Sequence, residues 1–232
     1  MIPDWPLYFP LGPGYQLTHS FPGIFLVCLP MGLALTLFFL VAARRPLFEL
    51  APPGLQQRLA GYLNSSPERS ARSVLSLSVA VCVGAVTHIV WDAFTHASTW
   101  GVAMFPSLNE VWVTVFGVKF AGYMVLQHGS SLVGLPLLLV LYFRWYRRAE
   151  CQPAPQPLIS SVARWVWVFL LIGFPIAAMV RHIAFIPQLT LRPVVMALYY
   201  GVTEAGFMLI VLIACYSLLF YPVVTFRQAR RS

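Results

Sequence analysis

Five uninterrupted apolar stretches, at about 21 to 43, 74 to 96, 120 to 143, 162 to 185 and 195 to 221, constrain this chain more than anything else in it. Each is long enough to cross ~30 Å of hydrocarbon, which takes roughly 20 helical residues. A bilayer offers no water to backbone N–H and C=O groups, so a spanning segment must be a helix or a strand of a closed barrel. The runs are continuous and do not alternate apolar with polar residues, which argues against barrel strands. The expected fold is therefore all-α: a polytopic α-helical membrane bundle of about five transmembrane helices, forming one integral membrane domain over residues 1–232. A composition of 59% hydrophobic and 9% charged residues is likewise too apolar for a soluble globular domain or a disordered chain.

Basic residues give the expected orientation. The net charge of +8 would point to nucleic acid in a soluble protein, but here the arginines cluster in short loops between apolar runs. If the first span runs inward, Arg44, Arg45, Arg58, Arg69, Arg72, Arg144, Arg147, Arg148, Arg164, Arg227, Arg230 and Arg231 face the cytoplasm. Only Lys119, Arg181 and Arg192 face out, so the start of the chain is expected outside and its end in the cytoplasm. The opening MIPDWPLYFP has no basic stretch followed by an apolar core, unlike a signal peptide. Cys28, Cys82 and Cys215 lie in apolar runs and Cys151 in a basic loop, which speaks against a disulfide framework or a thiolate zinc site. Between the first two spans, Leu55, Leu59 and Leu63 recur at helical spacing and predict a short interfacial helix.

Ionisable groups are costly at membrane depth and usually face a partner, a cavity or a metal. The segment GAVTHIVWDAFTH, 84 to 96, carries His88, Asp92 and His96 four residues apart. On a helix they form one drifting stripe about 12 Å long, so one ion cannot easily be held by both His88 and His96 on a straight helix: either two metals are bound, or one of these residues supports a ligand instead of being one. The pairs His88/Asp92 and Asp92/His96 each have the i, i+4 spacing that lets two side chains grip one ion. His19 precedes the first span, and His128 lies about eight residues into the third, at the same face. Arg181, His182 and Glu204 approach that face too, which predicts a shared polar cavity opening outward.

Imidazole with carboxylate suits Zn²⁺, Mn²⁺ or Fe²⁺. A bound divalent ion can acidify water for hydrolysis, and Arg181 or Lys119 could hold an anionic group such as a phosphate. Asp92 could serve as a ligand, as a general base, or as the group orienting a histidine. A proton or metal relay, as in a transporter, would use the same residues but needs polar access to both faces, and the inner half of every span is nearly free of ionisable groups. A third reading is a polar patch that locks helices together in a scaffold without catalysis.

The order PDW at 3 to 5, THSFPG at 18 to 23, GAVTHIVWDAFTH at 84 to 96 and QHGSSLVG at 127 to 134 resembles the DUF4184 family of bacterial membrane proteins, across most of the chain. It is also similar in style to membrane-bound metal-dependent hydrolases. The resemblance implies that Asp4, His19, His88, Asp92, His96 and His128 are the candidate metal ligands, with Asp92 the candidate catalytic group. It implies a divalent transition metal, Zn first and Mn or Fe next. It further implies a bacterial inner membrane location, and a substrate that is lipid-linked or embedded in the bilayer. Members of the family usually carry a further His-containing segment ahead of their Pro-Asp, whereas this chain opens on Pro3-Asp4; if its start is truncated, one ligand and part of a helix are missing.

Overall fold

The computed structural model describes residues 2–9, 12–65, 70–115, 117–186 and 191–229; of residues 191–193, 195 and 227–229 it describes the backbone alone. Arg69, Arg230 and Arg231 of the charge count lie outside the described residues. Among those described, five helices are long and apolar enough to cross a membrane: Phe21–Leu50, Ala71–Thr95, Gly122–Arg148, Ser161–Ala184 and Met196–Phe226. They follow the five apolar runs in order, and the chain is an α-helical membrane protein. Large apolar side chains such as Phe21, Leu132 and Phe169 lie bare on the helix surfaces. Lipid is the solvent that accommodates such a surface.

The first span continues to Leu50, past the basic pair Arg44-Arg45 where the apolar run stops. Two π-helical turns, Ile24–Cys28 and Phe39–Ala43, carry it. Their backbones bond one residue further back than in an α-helix: Leu29 N–H to the Ile24 carbonyl, and Arg44 N–H to that of Phe39. Each widened turn lies just ahead of a proline, Pro30 or Pro46. A proline has no N–H and crowds the carbonyl four residues back, and a wider turn relieves that conflict. The helix expected around Leu55, Leu59 and Leu63 spans Pro53–Asn64.

One element was not anticipated. Strands β1 (Val111–Val115) and β2 (Val118–Ala121) pair antiparallel through a turn containing Gly117, whose φ is +81°. The third span therefore begins at Gly122 rather than at 120. Val-Trp-Val-Thr-Val is rich in β-branched and aromatic residues, the type that fits a pleated strand. Five such residues next to a long apolar run are easily read as its approach.

By contacts the chain divides into two units. One comprises Met1–Pro3, Tyr15–Gly32 and Ser70–Ala149, the other Asp4–Gly14, Leu33–Arg69 and Glu150–Ser232. In the first, Ile24, Cys28 and Ala85 form a buried cluster with Ile2, Cys82 and Ile89 against it. This packs the outset of the first span on the later turns of the second. In the other, Tyr216, Phe220 and Val224 pack with Leu50, Leu158, Ile159 and Trp167. The Tyr216 hydroxyl donates to the Pro46 carbonyl at 3.1 Å, giving a buried polar group its partner.

Candidate metal centre

The THSFPG motif is a helix start built around one imidazole. Tyr15–Thr18 makes a single turn, and Ser20 then adopts an extended backbone. Its hydroxyl accepts from Gly23 N–H at 3.1 Å, as an N-cap does, and donates to the Leu17 carbonyl at 2.7 Å. Pro22 stands in the first turn, where its missing N–H costs nothing. A Cβ on Gly23 would lie 1.7 Å from the Leu17 carbonyl oxygen, so no other residue fits this turn. Buried Thr18 donates to the Pro3 carbonyl at 2.7 Å and so ties the beginning of the chain to the turn.

These contacts fix His19. Its ring stacks on Tyr15 with centroids 3.7 Å apart, and Nδ1 lies 3.1 Å from the Tyr15 carbonyl oxygen. A carbonyl can only accept, so in the neutral ring Nδ1 carries the proton and Nε2 carries the lone pair. A backbone carbonyl that orients a histidine through one nitrogen while the other turns to a ligand is the usual support of a metal-binding imidazole.

His88 and Asp92 come from the last turns of the second span, about 10 Å and ~4.5 Å of helix from its end at Thr95. His19 Nε2 lies 3.5 Å from Asp92 Oδ2, and His88 Nε2 lies 3.3 Å from the same oxygen. One ligand atom of each of these residues falls within 4.8 Å of the other two. All three side chains are 10 to 15% exposed. The distances are long for charge-assisted hydrogen bonds, which run at about 2.7–2.9 Å. They match what shared coordination requires: two ligands at ~2.0–2.1 Å from a tetrahedral ion stand about 3.3–3.4 Å apart. The donor set of two imidazoles and a carboxylate fits a divalent transition metal. A His/Asp cluster that could hold a metal ion is thus in place.

Of the other two candidate histidines, His96 borders this cluster and His128 does not. His96 ends the helix, its backbone turning extended, so the stripe stops there. Its Nδ1 folds back to the Asp92 carbonyl at 3.3 Å and stands 3.8 Å from Asp92 Oδ1. The amide of Gln127 donates to its Nε2 at 3.2 Å. With both nitrogens engaged by protein, His96 is placed to orient Asp92. His128 is exposed on the third span, edge-on to Phe120 with ring centroids 6.4 Å apart. Asp4 follows Pro3 by one peptide bond and opens the other unit.

In that other unit Arg181 Nη2 and His182 Nε2 each stand 2.6 Å from Glu204 Oε2, a closed set of three. Sequence reasoning passed over two residues. Gln127 was readable only as the neighbour of His128, and Glu49 was hidden by the basic pair beside it. Glu49 is buried and bonded by Arg45 Nη2 at 2.6 Å and by Leu158 N–H at 3.1 Å.

A five-span helical membrane protein with a histidine and aspartate cluster near one end of its first two spans is the class that these observations define. The chain matches the family model of a domain of unknown function (DUF4184) over residues 1–222, and it belongs to that family. No curated protein and no solved structure matches it.

Proposed function

We propose that this protein is an integral membrane metalloprotein in which His19, His88 and Asp92 hold one divalent transition metal, and that it is a metal-dependent hydrolase. The observation that carries the reading is the approach of two imidazole Nε2 atoms to one Asp92 oxygen at 3.3 and 3.5 Å, the separation of ligands on a common ion. Zn²⁺ suits the donors first, Mn²⁺ and Fe²⁺ next. A bound ion would supply Lewis acidity toward a carbonyl or phosphoryl oxygen. Asp92 Oδ1, turned to His96, stays on the protein side of the carboxylate and fixes its orientation.

The location of the cluster supports a substrate class. His19 lies two residues before the first span, and His88 and Asp92 lie within the second. A substrate reaching them comes from the lipid phase or its boundary, which favours a lipid-linked or membrane-embedded ester or phosphoester. By the distribution of basic residues the site faces outward from the cytoplasm. Protein purified in detergent without chelator, then assayed by elemental analysis, is expected to hold about one transition metal per chain. His88→Ala and Asp92→Asn are expected to lose it. Metal-free wild type whose stability is indifferent to chelator would refute the metalloprotein. Stoichiometric metal with no metal-dependent hydrolysis across lipid-linked esters and phosphoesters would refute the hydrolase alone.

A further inference from the structure

The connection between the second and third spans, residues 97–121, contains the hairpin, and its side chains are distributed in an unusual way. A hairpin washed by water shows one apolar and one polar face. Here β1 is exposed along its whole length, and Val111, Trp112, Val113 and Val115 point apolar groups to both sides. The short helix Trp100–Met104 before it leaves Trp100 and Met104 equally bare, at 53% and 65% exposed. This surface is continuous in the chain with the lipid-exposed surfaces of the two spans that it joins.

We propose that this segment lies in the plane of the membrane interface, with the phospholipid bilayer as its partner. Three features select the depth. The segment starts two residues after Thr95 and ends one residue before Gly122, so it lies at the membrane face where both spans end. A two-stranded sheet has two outer edges of unpaired N–H and C=O groups, which cannot enter hydrocarbon. Headgroups and their water can satisfy those edges while the side chains reach the acyl boundary, the level at which tryptophan is enriched. Lys119 is exposed on β2 and is the only lysine in the chain. Its ammonium can meet lipid phosphates while its methylene stem covers apolar surface. The hairpin is anchored from its own side: Trp112 Nε1 donates to the Ser107 carbonyl at 2.9 Å, and its ring covers Gly122 so closely that a Cβ there would lie 2.5 Å away.

Tryptophan fluorescence in phosphatidylcholine vesicles tests it, using lipids brominated high on the acyl chain and, separately, aqueous iodide. W100F and W112F should each remove emission that the brominated lipid quenches and leave the iodide-quenched share unchanged. Loss of the iodide-quenched share instead would place the segment in water and overturn the proposal. Emission shielded from both quenchers would mean that protein covers the segment, a second copy included, and would overturn it equally. Hydroxyl-radical footprinting of the wild-type chain in the same vesicles guards against a misfolded variant. Met104 should be oxidised as slowly as Met124 of the third span, and rapid oxidation of Met104 would count against the bilayer.

Discussion

Glu49 and Asp92 are both carboxylates set into membrane-crossing helices, and they keep different company. Glu49 is 2% exposed and meets a guanidinium at 2.6 Å and a backbone N–H at 3.1 Å. Arg45 also reaches the Gln156 carbonyl at 3.2 Å, and the pair fastens the linker ahead of the fourth span to the end of the first. The charge there is matched by a permanent cation, and the geometry is that of a tight ion pair. Asp92 instead faces three imidazoles at 3.3, 3.5 and 3.8 Å. Imidazole has a lone pair to give, which a guanidinium lacks. The same carboxyl group is a brace in one unit and part of a donor set in the other, and its neighbours make the difference.

Substitutions can break that contrast. Glu49→Ala leaves Arg45 without its carboxylate and should cost about 3–5 kcal/mol of stability, seen as a lower melting temperature in detergent, with metal content per folded chain unchanged. Metal loss on Glu49→Ala at preserved stability would erase the distinction. Asp92→Asn should lower metal affinity by more than ~100-fold in competition with a chromophoric chelator, because loss of a ligand exceeds loss of its support. Chelator should lower the melting temperature of the wild type and leave Asp92→Asn unmoved, since only a site that binds in the folded state stabilises it. Gln127→Ala frees His96 Nε2 and should weaken metal binding by roughly 10-fold, the low end for a supporting residue. His128→Ala should change neither metal content nor stability, and a clear loss of metal would bring His128 back into the site.

The spans were legible because apolar length is a local property, read one residue after another. Where they end was less so: the basic pair at Arg44-Arg45 looked like a stop, and the widened turn before Pro46 that carries the helix to Leu50 has no mark in hydropathy. Within the site, the approach of His88 to Asp92 follows from four-residue spacing. That His19 rather than His96 joins them does not, because Gln127 takes His96 Nε2 from a different helix. Likewise Arg181, His182 and Glu204 shared a depth in the sequence, but their mutual bonds depend on how the fourth and fifth spans pack. Residue types and depth were visible, and the long-range partners that decide which nitrogen remains available were not.

His19 stands just ahead of the first span, while His88 and Asp92 stand near the far end of the second. During synthesis the first imidazole therefore leaves the ribosome some seventy residues before its companions, a separation read directly from positions 19, 88 and 92. The cluster closes only when both helices have been inserted with opposite directions, so that their ends return to the same side. A nascent chain with the second helix stalled or reversed has no such cluster, and capture of an ion would report that the first two helices have been threaded correctly.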